Sequence, residues 1–143
     1  MNILPPVSLA LTEMGIAHQV FEHNQPPRTF EQAAEERGQR PEQVVRSILF
    51  RVSQGEGEFV MVLMAGPGQI NWKSLRNYLG VSRISMASKE EVFKITGYEL
   101  GAVAPFGLSA PIQVMVDESV LHEDVISLGS GIRGVAVVMK ARD

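Results

Sequence analysis

The chain is 143 residues long, 45% hydrophobic and free of cysteine. That fits one domain over residues 1–143 around a single core and excludes disulfides, thiolate metal sites and a cysteine nucleophile. A formal net charge of −3 argues against a broadly basic nucleic-acid binder, so any RNA contact must be local and no DNA partner is expected. No apolar run is long enough to span a bilayer and the start lacks a signal-peptide pattern, which predicts a cytoplasmic protein with no membrane partner.

Residues 5–14 read as a short helix, with proline at the start, Leu9, Leu11 and Met14 as an apolar stripe, and Gly15 as the stop. A strand over 16–21 carries Ile16, His18, Val20 and Phe21, and Asn24-Gln25-Pro26-Pro27 turns out of it. Thr29 can cap a helix running to Arg37, with Gln32 at the capping-box position and Gly38 at the end. A second short helix starts near Pro41.

Residues 45–52 are β-rich, and a turn at Gln54-Gly55-Glu56-Gly57 leads into an apolar strand over 59–64. Gly66-Pro67-Gly68 breaks that strand, Asn71 caps a helix over 72–79, and Gly80 closes it. A short strand over 83–86 precedes Ser88-Lys89-Glu90-Glu91, a capping box whose helix ends at Gly97. Three more strands are expected over 112–116, 125–128 and 134–140. Strands and helices mix without strict alternation, which predicts an α+β fold: a curved mixed β-sheet, barrel-like in outline, with helices packed outside.

Between the last helix and those strands, residues 97–107 depart from every regular pattern. Gly97, Gly101 and Gly107 open backbone conformations closed to other residues, Pro105 fixes one dihedral, and Tyr98 and Phe106 offer apolar anchors. The stretch can serve as a tight crossover with two buried rings, or as a loop holding bare amides at a pocket floor.

Other signals are weaker. Gly129-Ser130-Gly131-Ile132-Arg133-Gly134 matches G-x-G-x-x-G but lies between two predicted strands with no helix to present amides, so it reads as a hairpin turn. His18, His23 and His122 lack metal-ligand spacing and no acidic cluster offers a cage, so no metal and no cofactor are expected. Asp117 and Glu118 are adjacent, and neighbours on a strand point to opposite faces, which suits a turn better than paired acid/base work. Arg28, Arg37, Arg40, Arg46 and Arg51 are offset by Glu31, Glu35, Glu36 and Glu42 in the same window, the pattern of a mixed solvated surface.

Thr96-Gly97-Tyr98 through Pro105-Phe106-Gly107 resembles the signature loop of the YbaK/prolyl-tRNA synthetase-associated family, whose members remove wrong amino acids from tRNA. The resemblance extends in order from about Ala33 to Val138. Gln43 to Phe50 is similar to the family's Val-x-Lys-Thr/Ser-Leu-x-Phe strand, and Gly68 to Lys73 to its segment entering the next helix. Val116 to Ser119 and the Gly129 to Gly134 run resemble its C-terminal segments, the latter closer to the YbaK-like branch acting on tRNA for proline.

The family's lysine falls on Arg46, an exchange of a compact point charge for a planar, bulkier fork. What the resemblance implies is hydrolysis of an aminoacyl ester at the tRNA acceptor end without a protein nucleophile, with a synthetase as a further partner. In it Arg46 and Gly101 carry the chemistry, the first as a pocket cation and the second through backbone amides. Ser47, Gly129, Ser130 and Gly131 contact substrate, and Phe21 and Phe106 bound the side-chain pocket. A non-catalytic aminoacyl- or nucleotide-binding module, or a synthetase-docking one, remains the alternative on the same residues.

Overall fold

The computed structural model describes residues 5–52, 58–81, 83–108 and 112–143; the turn expected at 54–57 lies outside them. In chain order the elements are α1 (Pro6–Glu13), β1 (His18–Glu22), α2 (Phe30–Glu36), a 3-10 turn (Pro41–Gln43), β2 (Val45–Val52) and β3 (Phe59–Ala65). Then come α3 (Trp72–Leu79), β4 (Ile84–Met86), α4 (Lys89–Thr96), β5 (Gln113–Val116), a second 3-10 turn (Glu118–His122), β6 (Val125–Gly129) and β7 (Val135–Lys140).

Helix starts follow local chemistry. Thr29 Oγ1 accepts from the Gln32 amide at 3.0 Å, and Asn71 Oδ1 from the Ser74 amide at 3.0 Å. Ser88 and Glu91 close a reciprocal box, the Glu91 amide donating to Ser88 Oγ at 3.2 Å and the Ser88 amide to Glu91 Oε1 at 2.9 Å. Each bond satisfies an amide that the first helical turn would otherwise leave without a partner. Asp117 does the same for the second 3-10 turn, taking the Ser119 amide at 2.9 Å.

The strands form two sheets, in the orders β1-β7-β6 and β4-β2-β3-β5. A single parallel bridge, Val44 to Ser127, connects them. The expected α+β class holds, but the sheet is split and open, so a barrel outline does not describe it. β5 lies parallel to β3, from Val60 opposite Gln113 to Leu63 opposite Val116, while β6 and β7 pair antiparallel in the other sheet. Turn-length spacing between strands says nothing about partners, and here consecutive strands part company.

β2 is buried on both faces. Val45 and Leu49 enter the larger core between the sheets with Val7, Leu11, Met61, Tyr98, Leu128 and Val137. Phe50 and Val52 join Val60, Val62 and Leu75 in a second cluster beneath α3, where Trp72 meets Phe50 edge-on at 5.3 Å. Each such fully buried side chain contributes about 1.5–3 kcal/mol, which makes β2 a rigid strand on which to mount a site.

Candidate functional site

β4 pairs with β2 only at Phe50, Arg51 and Val52. At the other end the chain touches β6 through the Val44–Ser127 bridge. Between these points, with the Leu49 carbonyl accepting from the Ala87 amide at 3.0 Å, that side of β2 has no paired strand. A cavity of about 460 Å³ opens there, walled by Arg46 and Ser47 of β2, Leu100, Gly101 and Val103 of the loop, and Leu128 and Gly129 of β6. The glycine loop and the Arg46 strand therefore share one cavity.

Two consecutive residues of β2 in its wall, Arg46 and Ser47, carry polar atoms that lack partners. Arg46 donates through Nη2 to the Gly68 carbonyl and holds its guanidinium carbon 5.7 Å from the centre of the Phe30 ring. Its Nε is buried with no hydrogen-bond partner, and so is the Ser47 hydroxyl. A buried polar atom without a partner is costly, so two of them on adjacent residues that line a cavity single out this stretch of β2 as one where packing alone does not set the sequence.

Gly101 has φ +93°, and only Arg133 Nε, at 3.9 Å, comes near the place a Cβ would occupy. Its need for glycine is conformational, with open space beside it. Gly129 is the converse, because a Cβ there would lie 2.4 Å from the Val103 carbonyl oxygen. The loop backbone is thus seated directly on β6, and the Gly131 amide adds a bond to the Ala102 carbonyl at 2.9 Å.

Ser130, Gly131, Phe21 and Phe106 do not line the cavity. Ser130 is buried, donates to the Val135 carbonyl at 2.7 Å and accepts from the Ile132 amide at 3.2 Å, so its hydroxyl is spent inside the turn. The Gly129 to Gly134 run connects antiparallel β6 and β7. Phe21 presents an edge to the His23 ring at 4.9 Å, one residue removed from the wall. Phe106 packs against the main core, and its carbonyl accepts the Tyr98 hydroxyl at 2.7 Å, with Gly107 O at 2.9 Å from the same hydroxyl. Burial holds the Tyr98 phenol above its ordinary 10.0, so it stays a donor and tethers the loop.

Sequence reading missed His23 and Arg37. Arg37, at the C-terminus of α2, donates from Nε to His23 Nε2 at 3.0 Å and from Nη1 to Ser127 Oγ at 2.9 Å. A guanidinium Nε always carries its proton, so His23 Nε2 accepts and Nδ1 donates to Glu36 Oε1 at 2.6 Å. That bond, with one from Gln32, holds the Glu36 carboxyl below its ordinary 4.5. Burial lowers Arg37 to about 10, leaving it charged at neutral pH. Both His23 and Arg37 line the cavity, as do Arg28 and Arg133. A histidine of no metal spacing and an arginine among glutamates carry no motif, so only the fold brings them together.

Fold and site together define a class: a single α+β domain with an arginine-walled cavity beneath a glycine-rich loop. The profile of the aminoacyl-tRNA editing domain matches residues 24–143. YwhH of Bacillus subtilis, a protein without an assigned role, is 30% identical over 141 residues, covering 98% of this chain and 87% of YwhH. The proline–tRNA ligase of Trichlorobacter lovleyi is 36% identical over 98 residues, covering 68% of this chain. The match spans only 17% of that ligase. The crystal structure of a candidate trans-editing enzyme for prolyl-tRNA synthetase superposes with a TM-score of 0.86 at 25% identity, covering 96% of this chain and 85% of the other. The chain belongs to the aminoacyl-tRNA editing domain family.

Proposed function

We propose that the protein is a trans-acting aminoacyl-tRNA deacylase that hydrolyses mischarged tRNA in the cytoplasm, with tRNA for proline as the preferred carrier and prolyl-tRNA synthetase as the enzyme whose errors it clears. The observation that carries this reading is the meeting of Arg46, Ser47 and Gly101 at one cavity, with the Arg46 Nε and the Ser47 hydroxyl buried and unpartnered. Family membership and the likeness to a segment of proline–tRNA ligase support it.

In the reaction, water adds to the ester carbonyl, the bond to the terminal ribose oxygen breaks, and the proton from water ends on that oxygen, releasing amino acid and tRNA. Arg46 and the loop amides around Gly101 would steady the charge that develops on the carbonyl oxygen, and Ser47 would hold the acyl group in line. Among the described residues the wall contains no Asp or Glu, and both ring nitrogens of His23 are engaged. Among the described residues no carboxylate or free imidazole of the wall is therefore placed to take a proton from water, and a hydroxyl of the terminal ribose is the proton relay nearest the ester.

The same absence, with one Arg46 nitrogen already bound to the Gly68 carbonyl, favours a second reading, a non-catalytic module that binds an aminoacyl or nucleotide group or docks on a synthetase. Release of labelled amino acid from a panel of correctly and wrongly charged tRNAs separates the two. For the enzyme, Arg46→Ala should lower the rate about 10- to 100-fold, the loss of one charge-assisted contact made in the transition state. Arg46→Lys should keep a substantial rate. No release by the wild type on any tRNA would leave only the binding module.

A further inference from the structure

Arg28, Arg37, Arg46 and Arg133 all line the cavity, and among the described residues its wall holds no carboxylate. None of the four lies in an ion pair among the described residues, whereas Arg40 and Arg51 on the outer surface are paired with Glu123 and Glu91. A chain of net charge −3 has thus gathered four cations without an ion pair in one concavity, where a low-dielectric wall strengthens the attraction that an anion would meet.

Arg37 differs from the other three in how it is held. Its Nε and Nη1 bonds go to neutral acceptors on two separate elements, His23 just after β1 and Ser127 on β6. Both acceptors are themselves fixed, His23 by Glu36 at 2.6 Å and Ser127 by its bond to Gln39 Oε1 at 2.6 Å, and both are buried. The guanidinium is locked in place with no carboxylate in direct contact, the Glu36 charge acting on it only from the far side of His23, and the Nη2 protons and one on Nη1 remain uncommitted among the described residues. A fork fixed in this way, with adjacent nitrogens free, matches two oxygens of one anion better than a single carbonyl.

We propose that the cavity is an oxyanion site anchored by Arg37, and that its ligand carries a phosphate or carboxylate in addition to any ester. Two sources supply that chemistry in the substrate class named above, on which this inference rests in part. One is the phosphodiester next to the terminal nucleoside of the acceptor end; the other is the side-chain carboxylate of an acidic amino acid attached to it.

Titration calorimetry with adenosine 5′-monophosphate and with adenosine tests the first source on the unmodified protein. Deacylation of aspartyl- against asparaginyl-tRNA tests the second. If phosphate is the anion, the monophosphate binds at least about tenfold tighter than adenosine, as one charge-assisted contact requires, and inorganic phosphate competes with it. Arg37→Met should remove that difference, and Arg37→Lys, which keeps the charge but not the fork, should retain part of it. Arg51→Met, outside the cavity, should leave it unchanged. If carboxylate is the anion, the aspartyl ester is the faster substrate and Arg37→Met equalises the pair. Equal binding of adenosine and its monophosphate together with equal rates on the two esters overturns the oxyanion site while leaving the deacylase intact. Phosphate-dependent binding with no deacylation sinks the deacylase and leaves the site.

Discussion

Gly101 and Gly129 both line the cavity and require glycine for opposite reasons, so alanine at each position should fail differently. At Gly101 the added methyl meets open space but the backbone stays at φ +93°, a strain of about 1–2 kcal/mol that the loop can relieve by shifting. At Gly129 the methyl would lie 2.4 Å from the Val103 carbonyl oxygen and 2.9 Å from two Ala102 backbone atoms. There the loop must lift off β6, an overpacking cost of about 1–3 kcal/mol or more. Urea unfolding should show the larger loss for Gly129→Ala, and deacylation per folded molecule should fall more for Gly101→Ala. A reversed order in the unfolding experiment would mean that the loop is not seated on β6 through this contact.

Among the elements, α2 and α4 are the ones whose stability is tied to acid. Glu91 is held below its ordinary 4.5 chiefly by its bond to the Ser88 amide, and Glu36 chiefly by its bond to His23. A carboxyl with a lowered folded-state pKa stabilises fully above its unfolded value, and that contribution disappears as pH falls through the folded one. The contribution of these two carboxyls to the unfolding free energy should therefore stay level from pH 7 to about 5 and decline below about 4.5, so Glu91→Gln should make the acid limb of the stability profile shallower than in the wild type. Ser88→Ala should cost about 0.5–2 kcal/mol at pH 7, as loss of a helix cap does.

These helix starts were legible in the sequence because a cap is settled within four residues: Thr29, Asn71 and Ser88 each bond the amide three positions on. The sheet was less so. Periodicity located every strand, yet β5 joined β3 and left β6 and β7 to pair in another sheet, a choice made by contacts far apart in the chain. Arg46 and Gly101 could be singled out through their flanking patterns. Arg37 could not, since Glu31 and Glu35 offset it in a linear window and only the folded chain leaves them out of the cavity wall.

At the scale of the whole molecule, net charge and local charge point in different directions. The net −3 gives no general attraction to RNA, but the four cavity arginines set an upper limit on phosphate contacts there. Single strands contribute about −0.7 to the slope of log affinity against log salt per phosphate neutralised, so binding of an acceptor-end oligonucleotide should show a slope no steeper than about −3. A steeper one would demand a cationic surface outside this cavity.

The unpaired side of β2 has a consequence for how the cavity wall tolerates change. On that side the Leu49 carbonyl bonds Ala87, and strand alternation aims the main-chain groups of Ser47 the same way, while Arg46 and Ile48 are turned toward β3. In deuterated water the Ser47 amide should thus exchange well before its two neighbours, although all three lie in the middle of a buried strand. Part of what the cavity offers a guest is peptide backbone, the one surface that substitution cannot rewrite, so side chains such as Arg46 can drift between cations while that part of the wall persists.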